Sequence, residues 1–215
     1  MRRLVSLVLL LAAGCFPPAS IPAAERQRVR RELHELPRFA RVAVYLAPFP
    51  GDGSSLLLTD QPPEQAPATR VLPPGTPLRL ERVEFPAGWE AAGRPPGTPR
   101  LHPWAYLGLV GEVRPLVMVL PRSLATSEEV RAALERALSA SDPTPAFDAL
   151  PETQRAAIRR KQLEEGMAAD AVEMAWGQPE RKVLEPPSSR EEWLWPGAHR
   201  QARLEDGRLV SWSER

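Results

Sequence analysis

Apolar positions along this chain recur with two different periods, and the change of period divides it. Between residues 23 and 36, Val29, Leu33 and Leu36 share one stripe while Arg26, Arg28, Arg30 and Arg31 fall elsewhere, which predicts an amphipathic helix that Pro37 ends. From 41 to 120 the pattern turns to short strand-like runs. Residues 41–47 (RVAVYLA) and 56–59 flank the turn Pro50-Gly51-Asp52-Gly53, and 77–84 alternates over part of its length. Residues 104–110 and 113–120 read as a hairpin around Gly111-Glu112, with Pro115 directing its strand toward a sheet edge. The string PPGTP occurs at 73–77 and again at 95–99, each with the Pro-Gly pair of a type II turn. A polyproline ligand for a partner is the alternative reading of the repeat. Short strands joined by Pro/Gly turns predict a small barrel or sandwich, and an SH3-like barrel fits best.

Helical spacing returns at Thr126-Ser127-Glu128-Glu129, a capping box ahead of Val130, Ala133, Leu134, Ala137 and Leu138. Residues 139–145 (SASDPTP) then read as a linker. Residues 151–165 predict a polar helix and 168–175 a second, apolar one closed by Gly177 and Pro179. Strand-like runs follow at 192–195, 202–204 and 208–212, the last two joined by Asp206-Gly207. The expected fold class is therefore α+β: a β-rich region over 23–140, a linker over 141–150 and an ααβββ module over 151–215.

Composition narrows the class. With 26 prolines and 13 glycines in 215 residues and 43% hydrophobic residues, the chain is neither collagen-like nor low-complexity. The first residues, MRRLVSLVLLLAAGC, combine Arg2 and Arg3, an apolar run of about ten residues and a small Ala13-Gly14 step before Cys15. That run is too short to span a bilayer, which takes roughly 20 residues. Leu11-Ala12-Ala13-Gly14-Cys15 resembles the bacterial lipobox, which implies a signal peptide over 1–14, acylation of Cys15 (palmitate included) and a Pro-rich tether over 15–22. A secretory leader with a chance cysteine is the plainer alternative. Cys15 is the single cysteine, so no internal disulfide competes for it. Without residues 1–14 the chain holds 26 basic and 27 acidic residues, a net charge of −1, which argues against a nucleic-acid partner. The arginine-rich helix beside the anchor has two readings, an ordinary solvated face or a face on anionic lipid.

Within the C-terminal module, Gly166-Met167-Ala168 followed by Val172, Trp176-Gly177 and Pro179 resembles the signature of the SmpA/OmlA (BamE-like) lipoprotein family, and Trp193-Leu194-Trp195 matches its W-x-Y element. Residues 204–210 match its late strand pair. The resemblance covers roughly residues 158–212, and it departs from the family at Ala168, Trp176 and Trp195. It implies a docking or scaffold unit of the envelope, linked to outer-membrane protein assembly. Phe16 after the cysteine, where inner-membrane retention uses aspartate, favours the outer membrane facing the periplasm.

Chemistry-bearing motifs give no competing picture. His34, His102 and His199 are far apart in sequence, and no metal, phosphate-loop, dinucleotide or hydrolase motif stands in the chain. The carboxylate pairs Glu128/Glu129, Glu164/Glu165 and Glu191/Glu192 read as solvated faces. The expectation is a non-enzymatic protein without cofactor, holding membrane lipid through Cys15 and an envelope protein as partner. Trp193, Trp195 and Trp212 are either core or an exposed aromatic platform for that partner. A peptidoglycan- or peptide-binding module using the barrel with Trp89 and Trp104 is the alternative function.

Overall fold

In the computed structural model the described residues are 21–87, 89–186 and 188–214. The leader, Cys15 and the tether up to residue 20 lie outside them. The order is α1 (Ala23–Glu32), β1 (Leu36–Ala40), β2 (Val44–Phe49), β3 (Asp52–Thr59), β4 (Arg70–Leu72), β5 (Pro77–Glu84), α2 (Trp89–Gly93), β6 (Trp104–Leu109) and β7 (Leu116–Val119). Then come α3 (Ser127–Glu135), β8 (Leu138–Ser139), α4 (Thr144–Asp148), α5 (Glu152–Arg159), α6 (Ala169–Trp176), β9 (Arg181–Glu185), β10 (Arg190–Trp195), β11 (Arg200–Glu205) and β12 (Arg208–Glu214).

Local chemistry explains several boundaries. The Thr126 hydroxyl accepts from the Glu129 N–H at 3.2 Å, and the Glu129 carboxylate accepts from the Thr126 N–H at 3.1 Å, completing the capping box that starts α3. Both PPGTP strings make the same turn. Thr76 N–H donates to Pro73 and Thr98 N–H to Pro95, with Gly75 and Gly97 at φ of +84° and +86°, where a side chain is strained. The polyproline reading gains no support from these turns.

Eight strands form one mixed sheet in the order β4-β2-β3-β7-β6-β5-β1-β8, antiparallel except for the parallel β3/β7 pair. The helices α1 and α3 cover it, and Val29, Leu33, Val130 and Leu134 join Leu46, Leu58, Leu80 and Leu107 in the main core. An SH3-like barrel is not what forms. The pairings leave the sheet open between β4 and β8, whose three and two residues are too few for a closing seam. Two helices instead bury one apolar face of the sheet. On the opposite face Phe49, Trp104 and Val117 make a small separate core.

The second sheet is an antiparallel meander, β12-β11-β10-β9, under α5 and α6. It has one strand more than the ααβββ pattern. β9 escapes the periodicity because every one of its five residues is exposed, so it carries no alternation. Residues 141–150 are more than a linker: they contain α4, and Phe147 (4% exposed) belongs to the core of this second unit. Among the described residues no helix is long and apolar enough to cross a membrane.

Candidate functional site at the seam of the two sheets

The aromatic residues singled out in the sequence do not form a platform. Trp193 and Trp195 point to the same side of β10, as a spacing of two requires, but that side is the core: they are 1% and 0% exposed. With Trp176 they form a chain of ring contacts, 5.3 Å from Trp176 to Trp195 and 6.2 Å from Trp195 to Trp193. The reason is volume, since two short helices over four strands need large side chains to fill the space between. Trp193 is also roofed by the Lys182 ammonium 3.9 Å from its ring. Trp212 differs. It pairs across Ala202 from β12, an edge strand, and remains 42% exposed. Of the two tryptophans named for the alternative module, Trp104 is 4% exposed and packed in the small core with Phe49, and the side chain of Trp89 falls outside the described residues. His102 is held by its Nδ1 against the Leu120 carbonyl at 3.0 Å, a structural role.

The group that sequence reasoning passed over is Lys161. α5 stops at Arg159, short of the expected 165, because Lys161 takes a left-handed backbone (φ +56°) and turns its side chain across the seam. There Nζ donates to the Ala43 carbonyl and to the Asp60 carbonyl, each at 2.7 Å, and lies 4.8 Å from the Tyr45 ring centre. The residue is 2% exposed, and its own carbonyl accepts from Trp176 Nε1 at 3.1 Å. Two short hydrogen bonds thus tie the helical hairpin of the second unit to the first sheet, beside β2 and just past β3.

A second cation lies close by. Arg200, on β11, stacks over Trp176 at 4.7 Å, binds the Glu214 carboxylate through Nε at 2.8 Å and reaches the Tyr45 hydroxyl at 3.4 Å. Burial is the largest influence on Lys161 and lowers its pKa from 10.5 to about 7; Asp60 and Glu214 oppose the shift, and Arg200 adds to it. A neutral amine has two N–H donors, and the site offers two carbonyls to receive them. Asp60 Oδ2 and Arg200 Nη1 are buried without a hydrogen-bond partner in the structure, so the cluster is only partly satisfied.

Other contacts close the same seam. Ala43 N–H donates to the Met174 carbonyl at 2.7 Å, Arg136 donates to the Gln178 carbonyl at 3.2 Å, and Arg41 faces Glu173 at 3.7 Å. Gly177, at φ +85°, lies so close to Asp60 that a β-carbon there would stand 2.7 Å from Oδ2. A cleft of about 580 Å³ opens along one side of the seam between Arg41, Glu135, Asp142, Asp170 and Glu173. Chemically the arrangement is a lock. The amine is sealed and doubly hydrogen-bonded, which suits holding two sheets in register rather than attacking a substrate.

One signal pointed to Lys161. The chain has 26 arginines and two lysines, Lys161 and Lys182. A guanidinium keeps its charge wherever it is placed, whereas an amine can be buried near neutrality. Compared with protein-family models, curated proteins and solved structures, the chain matches none of them.

Proposed function

We propose that this chain is a lipid-anchored envelope lipoprotein whose folded body works as a non-enzymatic binding or scaffold unit, associated with outer-membrane protein assembly. The observation that carries this reading is the sequence Arg2-Arg3, a mostly apolar run over 4–12, Ala13-Gly14 and Cys15. One acyl chain holds a protein only marginally and two or more hold it stably, so a processed cysteine would give durable attachment. The folded body begins soon afterwards: Ile21, six residues beyond Cys15, is 2% exposed in the main core. Such a stretch reaches at most about 20 Å, which keeps the body at the membrane surface.

Two features support the scaffold role. Two helices over an antiparallel meander suit the SmpA/OmlA-like pattern read in residues 158–212. The Lys161 lock makes the two sheets one unit, as a body that must present surfaces in fixed relation requires. The test has two arms. Cys15→Ser should move the protein out of the acylated membrane fraction, and capture of the tagged lipoprotein from its own membranes should bring down barrel-assembly proteins. Retention by purified peptidoglycan without those proteins would favour the cell-wall-binding alternative. Unchanged retention of Cys15→Ser on membranes washed at high salt, which strips electrostatic contacts but not acyl chains, would overturn the anchor.

A further inference from the structure

We propose that α1 presents a basic face to the anionic phospholipid surface on which the chain is tethered, and that this face sets the orientation of the folded body. The inference rests on the lipid-anchor reading and adds to it a surface and a ligand chemistry.

The sequence alone left this helix balanced, four arginines against Glu25, Glu32 and Glu35. The structure engages each of the three carboxylates with a partner outside α1. Val29 and Leu33, 1% and 3% exposed, fix the buried side of α1. Glu25 is turned toward α3, where its carboxylate accepts from the Ser127 N–H at 2.8 Å, and Glu32 is turned the same way to meet Arg131 at 2.7 Å. Glu35, beyond the helix, pairs with Arg79 at 3.1 Å. Arg31 stands opposite the buried stripe with Arg28 and Arg30 on its two flanks, and all three are exposed. Among the described residues Arg30 and Arg31 have no ion pair, and Arg28 keeps 52% of its side chain exposed despite a 3.2 Å contact with Glu25.

This face is local, because the chain from residue 15 onward has a net charge of −1. It is also close to the membrane, within the reach of the five residues that separate Cys15 from Ile21. Three arginines, at about 1 kcal/mol each near an anionic surface, give the unanchored chain a measurable partitioning, and the tether, by raising the effective concentration of lipid at α1, turns that preference into a fixed orientation. Arg30 and Arg31 also complement the negative end of the helix dipole, which would stabilise α1 without making it bind lipid. The experiment separates the two roles.

The protein is the chain from residue 15 onward with Cys15→Ser, so that no acyl group contributes. It is sedimented with vesicles of phosphatidylserine and phosphatidylcholine (one to three) or of phosphatidylcholine alone, at low and raised salt. The expected result is binding to the anionic vesicles only, weakened by salt. The triple variant Arg28→Gln, Arg30→Gln, Arg31→Gln should lose at least tenfold in partitioning, at roughly fivefold per arginine near such a surface. The corresponding triple lysine variant should retain it, with unchanged circular dichroism in both. Equal partitioning to neutral vesicles, or full binding by the glutamine variant, would overturn the proposal. So would retention on polyglutamate with no vesicle binding, which would assign the face to an acidic protein. Failure of the anchor reading appears separately, as absence of label when the wild-type chain is grown with palmitate.

Discussion

Replacing Lys161 with methionine keeps most of the side chain's length and removes its amine from the seam. The Ala43 and Asp60 carbonyls then lose their donor, which costs about 1–3 kcal/mol for each buried group left unmet. The opposing effect depends on pH. With a pKa of about 7 in the folded chain and 10.5 as the ordinary value, the unfolded chain binds the proton more tightly. The penalty for burying the ammonium is therefore fully present below pH 7, where both states are charged, and it fades as pH rises toward 10.5. Wild-type stability should gain about 3 kcal/mol from this group between pH 6 and pH 9.5. Lys161→Met should be nearly as stable as wild type at pH 6 and fall behind it by about that amount at pH 9.5. Urea denaturation of both proteins at half-unit steps of pH measures the difference. Every other titratable group is common to the two proteins, so the difference between them isolates Lys161, and burial raises Tyr106 above its usual 10, out of the window. Parallel pH profiles for the two proteins would refute the reasoning.

Other consequences are smaller or simpler. Gly177→Ala should destabilise by about 2 kcal/mol in thermal or urea unfolding, because the residue is left-handed and its new methyl would collide with Asp60. Thr126→Ala should cost about 1 kcal/mol through loss of the capping box at α3, with Thr126→Ser close to neutral. Trp193→Ala should cost roughly 3–5 kcal/mol as a core deletion, whereas Trp212→Ala should change stability by less than about 1 kcal/mol. If Trp212 contributes to partner capture, only that second variant will lose it while remaining folded.

What the sequence disclosed was local. The capping box at Thr126, the paired PPGTP turns, strand β5 and the apolar helix ending at Gly177 each depend on neighbours a few residues away, and all are legible before folding. β1 was hidden because Leu36 continues the helical stripe of α1, while Pro37 suggested only an ending. Its strand identity comes from pairing with β5 and β8, far along the chain. β4 and β8 are too short to show a period. The open sheet was misread as a barrel because alternation tells which side of a strand is buried, not what buries it. The tryptophans posed the same difficulty, since a shared side of a strand suits a core and a platform equally. Lys161 was hidden for another reason. A single lysine at a helix end normally belongs to solvent, and only the approach of Ala43 and Asp60 from more than a hundred residues away makes it the centre of the seam.

The intact mass of the chain purified from bacterial membranes tests the chemistry of Cys15, and with it the lipid anchor, most directly. The expected product begins at residue 15 and carries three fatty acyl chains, two of them on a glyceryl group attached to sulfur. A chain of unmodified mass, with residues 1–14 still attached or with a free thiol at Cys15, would contradict it.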